Sequence, residues 1–258
     1  MIDQRAVIHP SAKIADNVTI GPFSCIGADV EIGEGTVIGP NVVIDGPTKI
    51  GKDNRIYQYA SIGSDAQDLK FKGEPNCRLE IGDRNRFREF CTINRGTAQD
   101  RGLTKIGSDN TFLAYSHVAH DCLLGDHIIL SNNATLAGHI TVEDWVIISG
   151  FVAIHQFCRI GAHSFLGGGA HLKHDILPFL MVADEQPKPY GLNTVGLSRR
   201  GFDADTLLWL KRAYKIIYRQ NLRTEEAIEQ LKEMVPHCQK VQDFIDFLGK
   251  SERGILRG

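Results

Sequence analysis

The chain has 258 residues, with 29 basic and 31 acidic side chains and a formal net charge of −2. That balance leaves no electrostatic footprint for nucleic acid. No apolar run approaches the roughly 18 residues of a membrane span, and the start carries no basic n-region and apolar h-region. We expect a cytoplasmic protein that binds no nucleic acid and has no stable membrane insertion. The six scattered cysteines, with no C-x-x-C pair, read as buried free thiols of a reducing compartment.

Taken in order, the chain opens on a ladder. An isoleucine recurs at every sixth position from Ile8 through Ile14, Ile20 and Ile26 to Ile62. A short run follows at Ile81, Phe87 and Ile93. A third runs without a slip from Ile106 through Val118, Leu124, Leu136 and Ile154 to Leu172. A period of six fits neither a helix face nor strand alternation; it is the hexapeptide repeat of a parallel β-helix. Each ladder residue points inward. Two positions before it sits a second, smaller inward side chain (Val18, Val30, Ala134, Val152), and Cys91, Cys122 and Cys158 occupy that place. The residue after it is often Gly (Gly21, Gly33, Gly107, Gly125), which we expect at tight corners.

The ladder loses phase between Ile62 and Ile81 and again between Ile93 and Ile106. We expect loops near 64–78 and 96–104, carrying Gln67, Asp68, Lys70 and Lys72 in the first and Gln99, Asp100 and Arg101 in the second. Long loops on a regular scaffold are places where function collects. Beyond Leu172 the rhythm ends, and Pro178, Pro187 and Pro189 mark an irregular link. Leu207, Leu210, Tyr214 and Ile217 then recur at helical spacing within 203–220. Thr224 is expected to cap a second helix that stops before Pro236. Val241, Phe244, Ile245 and Leu248 give a third. The expected class is mainly β: a parallel β-helix over 1–182, then a linker and a small helical unit over 183–258.

If three six-residue faces make one coil, residues 18 apart stack in columns about 4.8 Å apart. His120, Gly138 and Gln156 then share one column. Asp121, His139 and Phe157 share the next, and Ala119, Ala137 and His155 the one before. His117 lies three residues ahead of His120. Four of the chain's ten histidines meet in one patch, a clustering that a solenoid does not need for folding. Two chemistries fit it. In one, a His is the general base for an acyl transfer, Asp121 orients it, and the Gly138 N–H stabilises the oxyanion. In the other, His117, His120 and His139 bind zinc, as in carbonic anhydrases built on the same solenoid. A scaffold or ice-binding solenoid would show outer ladders of Thr, and none is found.

The motifs add a resemblance. Gln67-Asp68-Leu69-Lys70 with Gly73-Glu74-Pro75, Asn94-Arg95-Gly96-Thr97, His117 to Cys122, Leu136-Ala137-Gly138-His139, His155-Gln156-Phe157-Cys158 and Arg199-Arg200-Gly201-Phe202 resemble the UDP-N-acetylglucosamine O-acyltransferases, which start lipid A synthesis. The resemblance covers the whole chain. It implies a left-handed parallel β-helix, against the usual crossover hand, and a homotrimer with sites between subunits. It implies His120 as base on the glucosamine 3-hydroxyl and a hydroxyacyl chain on acyl carrier protein, held by phosphopantetheine, as donor. No other cofactor and no metal are implied. Gly138 would supply the oxyanion N–H. Asp68 and His139 would hold the sugar, with His117, His155 and Gln156 near the nucleotide sugar and its phosphates. Lys70 would lie near the acyl end, and Asn193 and Arg199 would contact the nucleotide or the acyl group. Gly168 matches the place that sets acyl length, and a Gly there implies an open channel and a longer chain. Lys211, Arg212, Lys215 and Arg219 are either a solvated face or a dock for acidic acyl carrier protein.

The sequence departs from the family at three points. Val195 stands where a Glu is usual. Ala183-Asp184-Glu185-Gln186 replaces a Gly-Asn segment. His171 and His174 end the solenoid. An alternative reading is a divergent hexapeptide acyltransferase acting on another sugar nucleotide.

Overall fold

A computed structural model describes residues 1–183 and 185–257, so the expectation at Asp184 lies outside the described residues. Its short strands stack into three sheets of nine, eight and ten strands. The chain visits the first, second and third sheets in turn and then repeats. Pairing is parallel, with Val118 beside Leu136 and Leu136 beside Ile154. The exception is Leu180–Ala183, which pairs antiparallel with Lys188–Leu192 and closes the third sheet. Two loops break the 18-residue step: Ile62 pairs with Ile93 and Ile81 with Ile106.

The ladder is the core. Ile20, Ile38, Phe87, Phe112, Leu136 and Ile160 are each at most 1 % exposed. Ile8 and Ile14 are only half-buried, because the first coils have no neighbour beneath them. Burying side chains of this size stabilises by about 1.5–3 kcal/mol apiece, and the column repeats that gain coil after coil.

The glycines after the ladder have a different cause from the one expected. The left-handed backbone falls on the third residue after the ladder, and most of those are not Gly: Phe23, Asn41, Asp121, His139, Trp145 and Phe157 have φ of 55–66°. Gly33 instead permits close approach between coils, since a Cβ there would lie 2.6 Å from the Gly51 carbonyl oxygen. Adjacent corners touch backbone to backbone, and a methyl group would hold them apart.

Four helices follow: α1 (Thr194–Arg199), α2 (Ala204–Arg219), α3 (Thr224–Met234) and α4 (Val241–Leu248). The first was not anticipated; six residues are too few to show a helical period. Asp203 caps α2, its carboxylate accepting from the Thr206 N–H at 2.7 Å. Thr224 is the first residue of α3 rather than its cap, and the Glu226 carboxylate accepts from the Arg223 N–H at 3.0 Å. The helices seat on the end of the solenoid. Phe244 meets Phe179 edge to face at 5.4 Å, Arg159 lies over Phe247 at 4.5 Å, and Tyr214 Oη donates to the Pro189 carbonyl at 2.8 Å. Among the described residues, no helix is long and apolar enough to cross a membrane.

Candidate active site

His120 stands at the corner where the chain leaves the first sheet, just beyond the strand His117–Val118. Asp121 takes the left-handed corner, with φ 58°, and its side chain is fully buried. There His120 Nδ1 lies 2.9 Å from Asp121 Oδ2. An ionised carboxylate only accepts, so the ring hydrogen sits on Nδ1 and Nε2 keeps its basic lone pair.

Loop 95–102 locks this pair. The Thr97 N–H donates to both Asp121 oxygens at 3.1 and 3.0 Å, and Thr97 Oγ1 donates to Oδ2 at 2.6 Å. The Asp121 N–H in turn donates to Thr104 Oγ1 at 2.8 Å. Burial pushes the Asp121 carboxyl up, but the hydrogen bonds from His120 and Thr97 outweigh it, and the net displacement is downward. Asp121 is therefore ionised at neutral pH.

One coil on, His139 stands in the same column as Asp121. Its ring is perpendicular to that of His120, with centroids 4.9 Å apart. It stacks on Phe157 at 4.4 Å, and Nδ1 lies 2.8 Å from Asp100 Oδ2. Gly138 packs directly against the His120 ring: a Cβ there would lie 2.6 Å from His120 Cε1 and 2.8 Å from Nε2. The Gly138 N–H has no hydrogen-bond partner among the described residues. His117 Nδ1 sits 2.7 Å from Thr92 Oγ1. Burial, helped by the neighbouring His120, pushes its pKa down, so it is neutral near pH 7.

His117, His120, Gly138, His139, Asp100 and Phe157 wall a groove of about 1170 Å³ that also holds Asp68, Lys70, Arg101, Gln156 and Glu252. Asp68 folds its own loop, with Oδ1 accepting from the Lys70 N–H at 2.9 Å. His155 is exposed one coil beyond, Nδ1 at 3.1 Å from the Gln156 carbonyl.

Besides His155, three expected residues are not brought to this groove. Asn193 is the N-cap of α1; Oδ1 accepts from Gly196 N–H at 3.1 Å and Nδ2 donates to the His163 carbonyl at 3.0 Å. Arg199 is exposed at the end of α1, and Gly168 is exposed at the corner between the third and first sheets. His120 occupies the corner between the first and second, so one chain alone does not unite them. Conversely, the reading of the sequence gave no role to Thr92, Thr97, Thr104 or Glu252. Thr97 lies on the second extruded loop, and Thr92 and Thr104 lie on the strands that flank it, where the 18-residue rule fails.

The ligand set open to a metal also differs from the zinc set weighed as an alternative. His120, Asp121 and His139 offer ligand atoms within 4.8 Å of one another, while His117 is turned to Thr92. An ion drawn there through Nδ1 would compete with the bonds that His120 and His139 make to Asp121 and Asp100.

A family model described as Udp N-acetylglucosamine O-acyltransferase, Domain 2, matches residues 175–256. A second, Bacterial transferase hexapeptide (six repeats), matches 11–46. A curated relative from Thiobacillus denitrificans, named acyl-[acyl-carrier-protein]--UDP-N-acetylglucosamine O-acyltransferase, is 55% identical over 256 residues, 99% of each chain. One from Ectopseudomonas mendocina with the same name is 54% identical, again over 99% of each. Among solved structures, the UDP-N-acetylglucosamine acyltransferase of Francisella novicida matches with TM-score 0.98 at 45% identity, covering 100% of this chain and 94% of that one. The corresponding Acinetobacter baumannii structure gives 0.97 at 45%, over 99% of each.

Proposed function

The chain belongs to the acyl-[acyl-carrier-protein]–UDP-N-acetylglucosamine O-acyltransferase family, and on that premise we propose that His120 is the general base of the transfer. The fold is the left-handed parallel β-helix of that family with a helical C-terminal unit, and the protein is an acyltransferase of the first step of lipid A synthesis. We divide it at about residue 182. The acyl group moves from acyl carrier protein to a sugar hydroxyl of UDP-N-acetylglucosamine, which we take to be the 3-hydroxyl. The acyl chain is 3-hydroxylated in this reading.

His120 Nε2 removes the proton of the sugar hydroxyl as its oxygen attacks the thioester carbonyl. The tetrahedral oxyanion meets the unpartnered Gly138 N–H. The imidazolium is stabilised by buried, ionised Asp121. It returns its proton to the departing phosphopantetheine thiol as the intermediate collapses. Neutral His117 adds no positive charge beside the base. His139, fixed by Asp100 and Phe157, forms the wall against which Asp68 and Gln156 hold the sugar, and Lys70 is the cation of the donor side. The observation that carries this reading is the fully buried Asp121 bonded to His120 Nδ1, because it fixes the tautomer that leaves Nε2 basic.

A homotrimer would complete the groove with Asn193, Arg199 and Gly168 of a neighbouring copy. Supporting it, the corner between the third and first sheets exposes Phe23, Tyr59, Phe90, Tyr115 and Phe151. Exposed Lys211, Arg212, Lys215 and Arg219 on α2 suit an acidic carrier protein. At Gly168 a Cβ would meet nothing nearer than the Gly150 carbonyl at 3.3 Å, consistent with an open path for a long chain. All six cysteines are unpaired, which suits a reducing cytoplasm.

The test is direct. Wild type and His120→Ala are incubated with UDP-N-acetylglucosamine and a panel of hydroxyacyl carrier proteins, and the products are read by mass spectrometry. We expect an O-acylated sugar nucleotide, and a loss of about 10²–10⁴-fold in the variant with an unchanged circular dichroism spectrum. Near-normal turnover by His120→Ala removes His120 as the base.

A further inference from the structure

The last coil before the helices carries His171, Lys173 and His174, three residues that the mechanism leaves without a role. The strand His171–Leu172 pairs with Ala153–Ile154, that strand with Thr135–Leu136, and that in turn with His117–Val118. His171 therefore continues the row of His117. Lys173 follows His155, and His174 follows His120, Gly138 and Gln156, each about 4.8 Å further along the solenoid axis. All three side chains are exposed, and none is ion-paired among the described residues.

The surroundings favour an anion. His174 is held on this coil, with Nδ1 3.3 Å from the Arg253 carbonyl. Arg253 is itself fixed on this coil, Nε donating to the Lys173 carbonyl at 3.1 Å. The adjacent Asp175 is fully buried and already occupied, accepting from the Arg159 N–H at 2.8 Å and from Ser251 Oγ at 2.7 Å. Glu252 is the one acidic wall residue at this end of the groove among the described residues.

We propose that His171, Lys173 and His174 form an anion subsite that extends the groove by one coil and takes a phosphate ester of a substrate. The inference rests on the acyl-transfer reading, because both of its substrates bring such a group: the sugar nucleotide a diphosphate, the acyl donor the phosphodiester of its phosphopantetheine arm. Lys173 supplies permanent charge, and the imidazoles of His171 and His174 flank it with ring N–H groups that can donate to a bound anion.

The experiment uses the full-length protein as wild type, Lys173→Ala and the double variant His171→Ala/His174→Gln, with kcat and KM measured for each substrate in turn. We expect KM for one substrate to rise about tenfold in each variant, the value of one charge-assisted contact, with kcat falling far less. A rise for UDP-N-acetylglucosamine assigns the subsite to the diphosphate; a rise for the acyl carrier protein assigns it to phosphopantetheine. Unchanged KM for both overturns the proposal. If wild type transfers no acyl group, the reaction reading fails separately, and a titration of the wild-type histidine Cε1–H resonances with inorganic pyrophosphate decides the subsite. Shifts at His171 and His174 then support it, and unmoved resonances overturn it.

Discussion

Asp121 receives three hydrogens on two oxygens, from His120 Nδ1, the Thr97 N–H and Thr97 Oγ1. An amide cannot do the same. Asn at this position would turn its NH₂ either against Thr97 or towards His120, where it would reverse the tautomer. Asp121→Asn should therefore lower kcat by about 10²–10⁴-fold while substrate binding stays close to wild type. Because the folded-state pKa of Asp121 lies below its ordinary value, its ionised form stabilises the fold above about pH 3.9, and that contribution is lost as pH falls through the lowered pKa. In acid-unfolding curves the Asn variant should lose this part of the pH dependence. Thr97→Val keeps the backbone donor and removes the hydroxyl, so it should reduce kcat by about tenfold, the value of one charge-assisted bond, and Thr97→Ser should restore it. Gly138→Ala places a methyl group on the His120 ring. Displacing the base by a few tenths of an ångström to an ångström should reduce kcat by up to about 10²-fold with the melting curve unchanged. His120, Asp121, Gly138 and His139 were legible as columns because this part of the solenoid keeps its 18-residue step. Thr97 was not, because it lies on an extruded loop whose path no period describes.

The helices show a second limit of legibility. The apolar face of α2 was plain in Leu210, Tyr214 and Ile217, all buried. Neither α1 nor the pairing of Leu180–Ala183 with Lys188–Leu192 was, because prolines and short segments erase both periods. Helical stability here comes from docking rather than propensity. Phe244→Ala removes a fully buried ring that meets Phe179 and should cost about 3–5 kcal/mol. The chain has two tryptophans, one of them on α2. In a Trp145→Phe background, Trp209 fluorescence should report the helical unit melting at lower urea, ahead of the solenoid's circular dichroism signal.

At the scale of the whole molecule, the outer surfaces are unequal. The second sheet presents Lys13, Glu31, Lys49, Glu80 and Lys105, in part ion-paired, whereas the corner between the first and third presents the stacked rings of Tyr59, Phe90 and Tyr115, 5.1 and 4.8 Å apart. Exposed apolar patches of this sort mark interfaces. If the proposed trimer forms through this corner, Phe90→Asp should lower the mass observed in sedimentation equilibrium from three chains towards one and abolish transfer, since the groove would lose its neighbour. An unchanged mass would remove this corner from the interface. The repeat shows that a solenoid exists, but not which side of it carries the exposed rings; that depends on which outward residues line up after winding.

A wound chain also restricts how its length can change. His120 and Gly138 face each other because 18 residues separate them, one full turn of the coil. Inserting or deleting a single hexapeptide between them would carry Gly138 to a different corner of the prism and separate the pair. A whole extra turn would preserve the corner but put another residue over His120. Neutral changes of length in such a scaffold are therefore restricted to entire turns away from the reacting pair, or to residues bulged outward, as in loops 65–77 and 95–102. Within the solenoid, lineages of this enzyme should accordingly vary in size by steps of 18 or at those two loops.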